Sequence, residues 1–359
     1  VAAKLLAFPI YAKPTDGGAV NTHNLNFNKN ASTGGDNDQI NVRGDHQLTE
    51  KQRLLGRFTR WSSSNLPVDV YGNGMRNGDP YSPEHFVTSQ AVLADTWVLN
   101  PSQIFDLRLG VTRWYYTRIP GSLGIDEATL GFPSYFSQIP ALNGLTPSTT
   151  IPGIAISSPT LNVISTGLLA DRDMTYAITP TFTWILGRHA LKFGAEFHRN
   201  DMNYFQNNNP GGTFSFDNLF TAATNAGGAS GSGMASFLLG LSNNSSLVQT
   251  SLFTGARLYY QGYYLTDTWQ VNNKLTVTAG FKYVMTNFWD KVTTTSATFV
   301  SGLNTTAPLP HLSAGYKIDD ANQVYLNAEG DFRQPSPSAL TLNSKGELPK
   351  PQYSIKEEL

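Results

Sequence analysis

The side chains of this sequence that would do chemistry are few and poorly gathered. His189, Glu196 and His198 fall within ten positions of one run and are the residue types of a metal site. On an extended strand Glu196 and His198 share a face, but His189 has the other parity and no third ligand is at hand. Asp36 and Asp38, in GGDND, offer carboxylates to a calcium ion but lack the spaced ligands and terminal Glu of a calcium loop, so they read as a polar approach to a strand. The GGASGSG run at 227–233 lacks the Lys-Ser/Thr of a phosphate loop and a strand-to-helix setting, and reads as a flexible loop. The chain has no cysteine, which removes disulfides, thiolate metal sites and cysteine nucleophiles. No catalytic, cofactor or metal site is expected, and the chain is not expected to be an enzyme.

Composition says what such a chain is built for. Charged residues make up 14% of the 359, against a usual share of about a quarter. Their place is taken by 32 Gly, 20 Phe, 16 Tyr and many Asn and Thr, a mixture too aromatic for disorder. The net charge of −1 leaves no basic footprint for nucleic acid, so that partner is excluded. No run approaches the roughly 18 apolar residues of a spanning helix. AAKLLAF near residue 2 and MASFLLGL at 234–241 are helix-like but far too short.

Period-two strands dominate. In ALKFGAEFHR, Leu191, Phe193, Ala195 and Phe197 face one way and Lys192, Gly194, Glu196 and His198 the other. LTVTAGFKY sets Leu275, Val277, Ala279, Phe281 and Tyr283 against Thr276, Thr278, Gly280 and Lys282. NQVYLNAEGDF sets Val324, Leu326, Ala328, Gly330 and Phe332 against polar neighbours, and residues 174–184 set Met174, Tyr176, Ile178, Phe182 and Trp184 against four threonines. From Ala256 to Gln270 the alternation is too mixed to assign faces.

The connections keep a rhythm of short turns and long loops. Strands at about 38–46 and 52–62 meet at Leu48-Thr49-Glu50-Lys51, and those at about 87–99 and 103–118 meet at Asn100-Pro101-Ser102. Strands at about 173–186 and 189–205 meet at Gly187-Arg188. A fourth pair lies in YYLTDTWQVNNKLTVTAGFKY, and a fifth, about 309–317 and 323–332, turns at Asp319-Asp320-Ala321-Asn322. Long polar loops separate the pairs, among them 119–172 and 206–246. Five alternations are expected of an antiparallel up-and-down transmembrane β-barrel, with short turns on one rim and long loops on the other. Trp97, Trp184 and Trp269 fall near short turns and Trp61, Trp114 and Trp289 near long loops, as two interfacial girdles would require. The apolar row then meets lipid. A charge on that row at mid-depth costs about 2 to 4 kcal/mol, so Lys192, Glu196 and Lys282 are expected to face a watered interior.

With these strands in place, GRHALKFGAEFHR, MASFLLGL, YYLTDTWQVNNKLTVTAGFKY and DNDQINVRGDHQLTEKQRLLGRFTRW together resemble the barrel of TonB-dependent outer-membrane receptors, especially the Oar-like branch of acidobacteria and myxobacteria. The resemblance covers roughly residues 1–300; the tail, LPHLSAGYKIDDANQVYLNAEGDFRQPSP, resembles late strands of such receptors more generally. It implies an all-β barrel of about 22 strands with an N-terminal plug, and energised uptake through the TonB complex of a ligand too large for porins. It also implies a bacterial outer-membrane location and, often, a carboxypeptidase-regulatory-like domain ahead of the plug. The sequence departs from that pattern: about eleven strands are counted, and no plug, TonB box or strand-final aromatic is found. Residues 1–359 are therefore expected to be a partial barrel domain, with 300–359 open to being a later part of it. An open half-barrel would leave unpaired edges in lipid, so a fragment is expected.

The loops carry aromatic residues, Tyr71, Tyr81, Tyr135, Phe136, Tyr204 and Phe205, which suit ligand capture and self-packing equally. The ligand is unknown and its binding residues are unassigned. Two other readings stay open: a passive porin or structural barrel without energy coupling, and a soluble β-rich binding protein. A propeller repeat of about 40 to 50 residues is not found.

Overall fold

The strands foreseen by alternation are present, most of them longer than expected. The chain is described here from a computed structural model, which covers residues 1–7, 15–18, 26–69, 83–134, 150–157, 160–163, 167–207, 211–223, 230–246, 252–293, 298–333 and 350–358. In order these form α1 (Ala2–Ala7), β1 (Asn37–Thr49), β2 (Gln52–Asn65), β3 (Glu84–Asn100), β4 (Gln103–Arg118), β5 (Gly153–Ser157) and β6 (Thr160–Val163). They continue with β7 (Leu168–Leu186), β8 (His189–Asn207), β9 (Thr213–Phe216), α2 (Gly233–Leu239), β10 (Asn244–Ser246) and β11 (Leu252–Gln270). The last are β12 (Leu275–Thr293), β13 (Thr298–Lys317), β14 (Gln323–Arg333) and β15 (Gln352–Glu358). Among the described residues, no helix is long and apolar enough to cross a membrane.

Eleven strands form one antiparallel sheet in the order β1-β2-β3-β4-β7-β8-β11-β12-β13-β14-β15. Each strand pairs with the next, the up-and-down topology that the turn rhythm requires. The short turns are made by side chains that stand in for backbone acceptors. Asn100 Oδ1 accepts from the Ser102 N–H at 3.0 Å, Asn272 Oδ1 from Lys274 and Leu275, and Asp319 Oδ1 from Ala321 and Asn322. At the two-residue turn between β7 and β8, Gly187 takes φ 61°, a left-handed angle that a Cβ would strain.

Two expectations on the opposite rim need correction. The fourth connection there is short, because β12 runs to Thr293 and β13 starts at Thr298. β13 carries prolines at 308 and 310. They are tolerated inside β13 because the ladder with β14 stops at His311, so that flank makes no demand on their missing N–H groups. The second correction concerns 119–172 and 206–246, which are not simple loops. They supply β5, β6, β9 and β10, a separate four-stranded sheet in the order β10-β9-β5-β6, with β5 and β9 parallel.

That small sheet has a core of its own on the long-loop rim. Leu5 of α1, Leu130, Phe132, Ile151, Ile154, Ile156, Phe216 and Phe237 of α2 pack together. The GGASGSG reading as plain loop holds only in part: residues 227–229 lie outside the described residues, while Ser232 caps α2, its Oγ accepting from the Ala235 N–H, and Gly240 ends it at φ 73°.

Candidate functional site

Register fixes which face each side chain takes, since cross-strand partners point the same way. Starting from Phe281, the row Leu265, Phe193, Phe182 and Phe105 is outward and apolar. One position on, Lys282, Tyr264 and Gly194 are inward. Lys192, Glu196 and Lys282 thus share the inward face, as expected. Lys282 Nζ lies 2.8 Å from Glu196 Oε2, with Tyr260 beside both: its hydroxyl donates to Glu196 Oε2 at 3.5 Å and its ring lies 5.7 Å from Lys282 Nζ. Nearby, Tyr264 Oη and Thr181 Oγ1 are 2.7 Å apart.

The proposed metal trio divides between faces. Glu196 is committed to Lys282, His198 packs against Tyr260 with ring centroids 5.3 Å apart, and both point inward. His189 points outward, its Nδ1 2.7 Å from Asp267 Oδ2 and its ring stacked on Trp269. Asp36 exchanges backbone and side-chain hydrogen bonds with Ser64, and Asp38 pairs with Ser62 across the β1–β2 ladder. Among the described residues, no three His, Asp or Glu side chains converge.

The inward face carries two concentrations of polar groups. Toward the short turns, Arg43, Arg53, Arg57 and Arg108 line a hollow of about 310 Å³. Asp45 bridges the first two at 2.8 Å each, and Arg57 donates to Gln90 at 3.2 Å. Toward the long loops, Tyr116 donates to Glu84 at 2.6 Å and stacks on Phe86 at 4.4 Å and on Trp114 at 6.0 Å. Asp171 and Asp173 of β7 face Tyr116 and Trp114 across the ladder, and each keeps one buried carboxylate oxygen without a hydrogen-bond partner. Tyr204 of β8 stands opposite Asp171, and its hydroxyl donates to Gln206. This mouth offers aromatic faces and unsatisfied carboxylate oxygens, groups suited to holding a ligand with donors or positive charge.

The girdle expectation is corrected at two of six tryptophans. Trp97, Trp184, Trp269 and Trp289 face outward, but Trp61 lies opposite Gln39 and Thr88, and Trp114 opposite Thr88 and Asp173, on the inward face. Trp61 donates its indole N–H to Asn37 there. Parity counted from Leu107, Leu109 and Val111 would have found Trp114. The pair Glu84–Tyr116 and the carboxylates of Asp171 and Asp173 left no local signal, because their meeting depends on the register of three strands. Of the loop aromatics, Tyr204 and Phe205 belong to β8 and point to opposite faces; Tyr71, Tyr81, Tyr135 and Phe136 lie outside the described residues.

An eleven-stranded antiparallel up-and-down sheet with an apolar outward face, a polar inward face and its long connections confined to one rim defines a membrane-spanning β-barrel architecture. Residues 1–347 match the family described as outer membrane beta barrel domain, and the chain belongs to that family. It is a protein of the bacterial outer membrane, and the bilayer is the partner of its outward face.

Solved structures share the fold at low identity. The ferric-catecholate import receptor Fiu from K12 E. coli superposes with a TM-score of 0.55 at 12% identity, over 90% of this chain and 48% of that one. The siderophore receptor PiuA from Acinetobacter baumannii gives 0.52 at 11%, over 90% and 47%. The ferric yersiniabactin uptake receptor FyuA from Yersinia pestis gives 0.51 at 10%, over 84% and 38%. The matched region is less than half the length of each of these proteins. No curated protein matches the chain.

Proposed function

We propose that the chain is part of the barrel of a TonB-dependent outer-membrane receptor of the Oar-like branch, which imports a ligand too large for porins. The observation that carries this reading is the inward mouth: Trp114, Tyr116 and Tyr204 stand with Asp171 and Asp173 where a ligand caught by the long loops would enter. The likeness of fold to import receptors supports it. The protein performs no covalent chemistry; capture by loops and mouth is followed by movement of a plug, driven by the TonB complex. The arginine hollow toward the short turns, with four guanidiniums and Asp45, suits an acidic surface of that plug. Strands beyond this chain close the barrel, a reading supported by the full exposure of β1 and β15 at the two ends of the sheet. Residues 1–359 form one barrel domain, with 300–359 contiguous, a reading supported by the pairing of β12 with β13 from Leu275 to Thr293.

The test is uptake by cells carrying the full-length gene, with and without a proton-motive force and with and without TonB. Ligand accumulation that stops when either is removed is the expected result. Accumulation that persists in both cases would replace this reading with a passive porin.

A further inference from the structure

The core on the long-loop rim encloses a carboxylate that nothing holds. Glu127, in the 3-10 turn Glu127–Leu130 of the β4–β7 connection, is 0% exposed, and neither of its carboxylate oxygens has a hydrogen-bond partner. Thr150, three residues ahead of β5, is 1% exposed, and its Oγ1 is buried without a partner as well. Asp126 does not relieve Glu127, because its own carboxylate is turned to the backbone, where Oδ1 accepts from the Ala128 N–H at 3.0 Å. Among the described residues no Lys, Arg or His forms an ion pair with Glu127. A carboxylate so placed can stay ionised only if a positive charge comes to it.

Glu127 and Thr150 meet at Gly211, two residues ahead of β9. A Cβ on Gly211 would stand 2.1 Å from the Thr150 carbonyl oxygen and 3.0 Å from Glu127 Oε1, so the absent side chain leaves both oxygens bordering one space. Backbone contacts fix that space. Gly212 follows at φ 76°, and its carbonyl accepts from the Gly153 N–H at 2.9 Å where β5 and β9 begin their parallel pairing. On the other side of Thr150, the Ile151 N–H donates to Ser122 Oγ at 3.3 Å. The donors gathered here are a carboxylate, a hydroxyl and a backbone carbonyl, all oxygen, which is the ligand set of a hard cation.

We propose that Glu127 and Thr150 bind a calcium ion in the space beside Gly211. Glu127 supplies its two carboxylate oxygens and Thr150 its Oγ1 and carbonyl oxygen, and water completes the shell of about six to eight oxygens that calcium takes. Magnesium demands near-octahedral ligands and fits this set poorly, and zinc finds neither nitrogen nor sulfur. A single carboxylate makes a weak site, with a Kd of about 0.1 to 1 mM, the range of calcium modules outside cells. The ion ties the β4–β7 connection to the β8–β11 connection and so fixes the small sheet on the rim. Without it the carboxyl is left to a proton, and its pH response is that of the calcium-free protein. The site is separate from the inward mouth and does not depend on which ligand is imported.

Hydrogen exchange of the full-length protein in detergent, stripped with a chelator and then given calcium or magnesium at about 5 mM, tests the proposal. The pH is held near 8, above the value of about 7 to which burial and Asp126 raise the Glu127 pKa. Calcium is expected to slow exchange of residues 121–132 and 150–156 about tenfold, and magnesium to leave it unchanged. Glu127→Gln, which keeps the shape and removes the charge, is expected to lose the calcium response. No response to calcium, an equal response to magnesium, or a calcium response that survives in Glu127→Gln would each overturn it. The comparison of the two ions on the unaltered protein decides the matter even if the variant does not fold.

Discussion

Tyr264 lies across Gly194 on the inward face: a Cβ on Gly194 would stand 2.7 Å from Tyr264 Oη and 2.9 Å from its Cζ. The hydroxyl reaches over the glycine to Thr181 Oγ1 on the far strand, so one ring ties β11 to β7 across β8. This contact uses an absent side chain as a slot, and it explains why a residue that weakens strands sits in the middle of β8.

Gly194→Ala is therefore expected to destabilise the barrel by about 1 to 3 kcal/mol, because the added methyl also meets the Pro180 carbonyl oxygen at 2.4 Å. Tyr264→Phe keeps the ring in its slot and loses one hydrogen bond, about 1 kcal/mol. Unfolding midpoints of the full-length protein in detergent, compared for the two variants, check the order.

Adjacent positions on β12 should respond oppositely to the same charge. Phe281→Lys places an ammonium in lipid near mid-depth and is expected to cost about 2 to 4 kcal/mol. Lys282→Met removes an inward partner of Glu196 whose side chains are 32% and 29% exposed, and is expected to cost under about 1 kcal/mol. Folding titrations into lipid vesicles measure both, and equal costs would mean that the faces are assigned wrongly.

Glu127 makes the loop-borne core pH-sensitive. Its carboxyl is fully buried with neither oxygen bonded, and burial, reinforced by the negative charge of Asp126, raises its pKa from 4.5 to about 7. Raised above the unfolded value, it leaves this core at full stability below about pH 4.5 and weakens it as pH rises through 7, by about 3 kcal/mol in total. Hydrogen exchange of residues 121–132 is expected to quicken across that window in the native protein. Glu127→Gln should flatten the dependence and slow exchange at neutral pH.

The cysteine-free chain allows clean labelling of its topology. Ser230→Cys, on the rim of the small sheet, is expected to react with an impermeant maleimide on intact cells. Asn272→Cys, in the short turn between β11 and β12, is expected to react only after the outer membrane is opened. The reverse pattern would invert the barrel.

Much of the large sheet was legible because its determinants are local. Alternation at Leu191 to His198 or Leu275 to Tyr283 states which side chains share a face, whatever the neighbouring strand does. Asn100, Asn272 and Asp319 announce turns because their side chains cap the backbone within three residues. The prolines of β13 show the complementary case. Their cost depends on whether a neighbouring strand needs the missing N–H, which is not a local property.

By itself, then, the sequence determined an alternating, turn-punctuated membrane sheet and the faces of its cleaner strands, since parity and turn chemistry act over a few residues. Tertiary structure alone decided that Ile154 pairs with Phe214 and Ile156 with Phe216 as a parallel strand pair within the small sheet on the rim. It also decided that Trp114 and Tyr116 meet Asp173 and Asp171 at the mouth, and that Arg60 and Arg113 flank Ser89 outside. These meetings are matters of register between distant strands. Register is chosen by the sheet as a whole, because a slip of one residue would turn every side chain of a strand to the wrong solvent.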